Sequence, residues 1–257
     1  MRSADGTRIG FYRLGEGPPI LFIHGAIATH TDWMRVARLL SHSFMCFLMD
    51  RRGRGKSAPG NSPYSIECEC EDIAALAAVA GSGLSLVGHS YGAVCALEAG
   101  LRIPIQRIVA YEPPLAVSHP FSGEAIELYG AAIEHGDFDS AIEIGLARFS
   151  QLSPEAIAKI RASRAWPRMS ALAPTWFREI EVINALGLGV ERYRALAPPA
   201  LLLVGSESPQ HPMQDAIRAL VQTLPNARVE TLQGQGHVAM RTAPELVAPL
   251  IADFLSE

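Results

Sequence analysis

The sequence predicts an α/β fold: a mostly parallel central sheet flanked by helices, interrupted by one helical insertion. Three observations carry that expectation. Short apolar runs recur and end at polar or glycine-bearing positions, as at 19–23 before His24-Gly25, 44–49 before Asp50 and 84–87 before Gly88. Helical stretches lie among them, and strand–helix–strand alternation implies a parallel sheet covered on both faces. Between 113 and 197 the strand pattern stops while helical spacing continues.

Residues 7–14 alternate in strand fashion and open the series. The runs at 19–23, 44–49 and 84–87 follow, and the acids and alanines of 66–80 suit a helix between the last two. Residues 93–101 read as a helix and 107–111 as the next strand. The insertion holds helical patterns at 123–135, 138–152 and 154–164, then Trp166, Trp176 and Phe177, with breakers at Pro167 and Pro174. The sheet resumes at 199–204. A helix at 212–224, a strand at 228–232, a loop at 233–237 and a last helix at 243–255 complete the chain. The expected core is therefore 1–112 with 198–257. Residues 113–197 are expected to form a helical lid inserted over the strand ends, with plain packing helices as the alternative.

Composition narrows the class. Of 257 residues 49% are hydrophobic and 19% charged, which supplies a core and argues against disorder. A net charge of −4 argues against a nucleic-acid binder, which concentrates Lys and Arg. The one basic run, 51–56, reads as a solvated loop. Four cysteines in a chain this long suggest buried or incidental thiols rather than a disulfide framework. The first residues have no apolar core region, and no stretch approaches the ~20 apolar residues that cross a bilayer. A cytoplasmic protein with no membrane partner is the expectation.

The chemistry centres on Gly88-His89-Ser90-Tyr91-Gly92, a Gly-x-Ser-x-Gly pentapeptide set between an apolar run and a small-residue helix. That is the strand–turn–helix setting of a nucleophile elbow, in which a sharp turn strains the serine and glycines on either side let strand and helix approach. A serine hydroxyl needs a base. His237 is the best candidate, because it closes Gly234-Gln235-Gly236-His237 after the last strand. His24 and His89 belong to the other motifs. His30, His42, His119, His135 and His211 lack a strand-end setting or lie in the insertion.

These motifs, with Phe22-Ile23-His24-Gly25 and Asp50-Arg51-Arg52-Gly53-Arg54-Gly55-Lys56-Ser57, make the chain resemble the α/β-hydrolase superfamily over nearly its whole length. The segment 50–57 is similar to that family's structural Asp-x-Arg-Gly-x-Gly-x-Ser loop. A phosphate-binding loop would need glycine at 50, where Asp50 stands. The resemblance implies that the backbone N–H groups of Ala26 and Tyr91 form an oxyanion hole. The family's usual triad acid falls at Ser208, which cannot hold a charge. Glu112, after the strand at 107–111, is favoured over Glu207, with Asp215 third.

Together these readings predict acyl transfer to water. Ser90 attacks a carbonyl, His237 moves the proton, and Glu112 orients the ring. The expected substrate is a small or medium apolar ester or lactone, with Trp166, Trp176, Phe177 and Phe149 as candidate pocket residues. Carbon–carbon hydrolysis, lyase or cofactor-free oxygenase chemistry, or a silent ligand-binding protein, are the alternatives. Dehalogenation is disfavoured because it requires a carboxylate at 90. No spacing suggests a metal or dinucleotide cofactor.

Overall fold

A computed structural model describes residues 1–60 and 63–257, with all their side chains except those of Gln210 and His211. Seven strands form one sheet in the order β1-β3-β2-β4-β5-β6-β7. They are β1 (Phe11–Leu14), β2 (Pro19–Ile23), β3 (Met45–Met49), β4 (Ser85–His89), β5 (Ile108–Tyr111), β6 (Ala200–Gly205) and β7 (Ala227–Leu232). Only β1 runs antiparallel to its neighbour. The helices are α1 (Met34–Leu40), α2 (Ile66–Ala80), α3 (Tyr91–Gly100), α4 (Ala125–Glu134), α5 (Phe138–Arg148), α6 (Pro154–Arg161), α7 (Trp166–Ala171), α8 (Ala173–Ala185), α9 (Asp215–Thr223), α10 (Ala239–Thr242) and α11 (Pro244–Leu255). Among the described residues, no helix is long and apolar enough to cross a membrane.

The central strands are mostly apolar because both of their faces are buried. Successive residues enter opposite cores. Leu21, Ile23, Leu86, Ala110 and Leu202 pack in the core that also holds α2, α3 and the inserted helices. Ile20, Phe22, Val87, Val109 and Leu201 pack in the other, with Trp33, Val36, Val247 and Ile251. All four cysteines are buried and free.

Most expected elements form within a few residues of their expected bounds, and the departures have identifiable causes. Strand β1 begins at Phe11 rather than Thr7, because the preceding backbone bonds elsewhere. Ala58 N donates to Arg8 O, and Gly10 N donates to Ser57 Oγ, each at 2.8 Å. Pro167 and Pro174 do not break helices. They stand in the first turns of α7 and α8, where a missing N–H is harmless. Helix α1 is too short, and too interrupted by Arg35 and Arg38, for its apolar spacing to stand out in the sequence.

The expectation of a solvated loop at 51–56 is overturned. Arg51, Arg52 and Arg54 are all buried. Asp72 grips Arg52 with two bonds of 2.8 Å, and Asp5 adds a third at 3.1 Å. Arg51 reaches Glu69 at 3.0 Å, and Glu179, on α8 of the insertion, bonds both Arg51 and Arg54. Such charges survive burial only when carboxylates and carbonyls replace their water. The partners come from distant segments, so the run by itself looked like surface.

Glu179→Ala should therefore leave the buried Arg54 guanidinium without a carboxylate and Arg51 with Glu69 alone, and cost about 3–5 kcal/mol in urea unfolding. The exposed neighbour substitution Glu181→Ala should stay within about 0.5 kcal/mol of the parent.

Candidate active site

Ser90 occupies the single residue between β4 and α3, at φ 53° and ψ −125°. Its N–H donates to Tyr111 O at 2.8 Å, tying the turn to β5. The flanking glycines are steric necessities. A Cβ on Gly88 would lie 2.3 Å from Gly92 O, and one on Gly92 would lie 2.3 Å from Ile23 O. A Cβ on Gly25 would come within 3.0 Å of both Ser90 Cβ and His89 Nδ1, so the loop after β2 lies directly against the serine. Among the described residues, Ile27, Ser90, Glu112 and Gln151 are the non-glycine residues with positive φ. Three of them follow the carboxyl ends of β2, β4 and β5. Strain of this kind, worth about 1–3 kcal/mol per residue, gathers where function demands a fixed geometry.

Glu112 comes directly after β5 and is fully buried. His237 Nδ1 donates to its Oε2 at 2.5 Å, and Gly205 N, at the end of β6, donates to its Oε1 at 2.7 Å. The imidazole is a quarter exposed, so its other edge faces outward from the buried carboxylate. With the Nδ1 proton committed to Glu112, Nε2 is the nitrogen left as a base. Glu207 is exposed, and its side chain makes no bond to His237 among the described residues. Asp215 pairs with Arg218 at 2.5 Å. Ser208 is buried, and its hydroxyl has no hydrogen-bond partner among the described residues.

Two residues that the sequence reading passed over hold the loop carrying His237. His89 Nε2 donates to His237 O at 2.7 Å, with the two rings 4.5 Å apart. Tyr111 donates its hydroxyl proton to Gly236 O and accepts from Ala239 N at 3.2 Å. Each stands one residue before a candidate site residue, Ser90 or Glu112. Their signal in the sequence is a polar side chain closing an otherwise apolar strand.

The backbone of Ala26 enters a turn whose carbonyls are anchored. Arg51 donates to His24 O at 2.9 Å and to Gly25 O at 3.1 Å, and its guanidinium lies 4.8 Å from the centre of the Tyr91 ring. Tyr91 is the first residue of α3, so its N–H has no acceptor inside the helix. The side chain of His24 is used up locally. Its Nε2 accepts from Arg51 N at 3.1 Å and its Nδ1 donates to Gly25 O at 2.8 Å, leaving no nitrogen for catalysis. His30 pairs with the buried Asp50 at 2.8 Å. His119 and His135 lie in the insertion, and the side chain of His211 falls outside the described residues.

The four aromatic pocket candidates pack within the insertion. Phe149 and Trp176 meet edge to face at 5.6 Å, Phe177 stacks on Tyr129 at 6.1 Å, and Trp166 donates to Asp139 at 2.9 Å. Internal packing accounts for these contacts. Among the described residues, no group of three His, Cys, Asp or Glu side chains is placed to hold a metal.

Burial pushes His24 well below the ordinary histidine pKa, and the charges of Arg51 and Arg54 act in the same direction. Burial, then the neighbouring His237, does the same to His89. The folded chain therefore keeps both rings neutral as pH falls below about 6.5, while the unfolded chain binds protons at both. Stability should be full above that pH and fall between pH 6.5 and 5.5 by up to about 1.4 kcal/mol per unit for each ring. Urea midpoints read the slope, and His89→Gln should roughly halve it.

Comparison with known proteins bears on the family and the fold. The model of the "Alpha/beta hydrolase family" matches residues 20–250. An alpha/beta hydrolase structure from Sphaerobacter thermophilus is 31% identical, covers 99% of this chain and 98% of its own, and superposes with a TM-score of 0.89. A non-heme chloroperoxidase from Streptomyces lividans is 24% identical over 98% of both chains. An N-formylmaleamate deformylase from Pseudomonas putida is 35% identical over 44% of each. The elbow, the strand order and a family match that runs through both parts of the sheet lead to one assignment: the chain belongs to the alpha/beta hydrolase family.

Proposed function

We propose that the chain hydrolyses a carboxylic ester or lactone through an acyl-enzyme. Ser90 is the nucleophile, His237 the base and Glu112 the acid that orients it. The observation that carries this reading is the buried Glu112 carboxylate bonded to His237 Nδ1 at 2.5 Å. A carboxylate at that nitrogen favours the tautomer with a free Nε2 lone pair and stabilises the imidazolium that forms. Nε2 takes the Ser90 proton as Oγ attacks the carbonyl carbon. The oxygen then carries negative charge, and the N–H groups of Ala26 and Tyr91 receive it, each worth about 3–4 kcal/mol where such donors have been removed. Collapse expels the alkoxide, which takes the proton from His237. Water, deprotonated by the same ring, then releases the acid and frees Ser90.

The similarity to a deformylase supports one variation, in which the same groups cleave a carbon–nitrogen acyl bond. The chemistry differs only in the leaving group, an amine that must be protonated as it departs.

Turnover of p-nitrophenyl esters, lactones and formamides of graded chain length separates the two substrate classes. Ser90→Ala should lower kcat by roughly 10⁴-fold or more, and Glu112→Gln by about 10⁴-fold through the wrong tautomer, with Glu207→Gln near the parent. A fluorophosphonate should label Ser90. Full activity in Ser90→Ala would point to base-only chemistry at His237, and absence of both label and turnover to a ligand-binding protein.

A further inference from the structure

Strand β7 ends the sheet, and no strand among the described residues pairs with its outer side. Ala200 N donates to Asn226 O at 2.9 Å and Ser206 N to Leu232 O at 3.1 Å. The even-numbered residues of β7 thus direct their backbone groups at β6. By alternation, the N–H and C=O groups of Ala227, Val229 and Thr231 point along the free edge. Such an edge is a template for another strand unless something blunts it.

The two faces of this edge differ. On one, Val229 and Thr231 join Ile217 and Val221 of α9 in lining an apolar groove of about 520 Å³. Val221 and Val229 are 38% and 41% exposed, unusual for large apolar side chains with a groove between them. On the other face, Arg228 lies 5.1 Å from the Phe254 ring of α11 and donates to Glu257 at 2.7 Å, while Glu230 is exposed and has no cationic partner among the described residues.

We propose that two copies of this chain join edge to edge through β7, antiparallel and two-fold symmetric, with Val229 on the axis. Charge selects this register. A two-fold axis perpendicular to the sheet keeps each residue on its own face, so the axis must pass through a residue rather than between two. Centred on Arg228 it sets Arg against Arg, and centred on Glu230 it sets Glu against Glu. Centred on Val229 it sets Arg228 opposite Glu230 of the second copy, and Glu230 opposite its Arg228. Opposite charges directly across a strand pair stabilise it and like charges oppose it. The same register pairs the outward backbone of Val229 with itself and that of Ala227 with Thr231 of the second copy. It also brings the two α9 helices side by side, so that each covers the other's groove.

Sedimentation velocity over a dilution series tests this. The wild type should associate as a dimer. In a Glu257→Gln background, which frees Arg228 from its partner in the same chain, Arg228→Glu and Glu230→Arg should each raise the dissociation constant about tenfold or more, and the double exchange should restore it. Val229→Lys, which puts two like charges on the axis, should also give monomers, with circular dichroism spectra matching the parent throughout. A monomeric wild type overturns the proposal, as does a dimer that all three single variants leave intact. Failure of the double exchange to recover association overturns the register.

Discussion

Three backbone segments converge where β4 turns into α3, and no atom larger than hydrogen fits between them. Gly88, Gly92 and Gly25 are the residues that permit this: a methyl group on any of them would meet backbone or the Ser90 side chain at 2.3–3.0 Å. Everything else in the site hangs on that closeness. It places the loop after β2 against the serine and lets Ser90 bond across to β5. The positive φ of Ser90 is the local cost, and the rigid strands on either side make it tolerable.

The second organising feature is electrostatic. Arg51 meets four different parts of the chain: Glu69 on α2, Glu179 on α8, the carbonyls of His24 and Gly25, and the face of Tyr91. A guanidinium suits this role because its fixed fork can serve several acceptors in one plane while its face lies on an aromatic ring. The inserted helices are thereby joined to the loop beside the serine through one buried side chain. Hydrophobic contact alone would hold the insertion down without fixing it relative to that loop.

The sheet was legible because buried parallel strands leave an unmistakable trace, short apolar runs closed by a polar residue. The elbow was legible for a related reason: its steric demand admits only glycine at two positions. Glu112 could be named from the vacancy at Ser208, but only coordinates could place it against His237 rather than in solvent. The fate of 51–56 was not legible. A run of arginines looks the same whether water or carboxylates surround it, and the acids that settle the matter are Asp5, Glu69, Asp72 and Glu179. The helix starts at Pro167 and Pro174 were misread because proline ends a helix from within but suits its first turn. His89 and Tyr111 were missed because their work is done on backbone carbonyls, which no side-chain pattern records.

The carboxylate that meets His237 hangs from β5, and this alters what evolution can do elsewhere. Among the described residues, no side chain of the segment following β6, from Ser206 to Gln214, bonds the imidazole. At its root the Gly205 amide bonds Glu112, Ser206 Oγ accepts from Gly234 N at 2.9 Å, and Glu207 N donates to Gln235 O at 3.0 Å, so this end is tied to the loop that carries His237. The side chains beyond Glu207 can therefore vary without removing the ring's carboxylate, which comes from β5. A rim beside the candidate site is thus left open to diversification, a freedom denied to a chain that keeps its acid there.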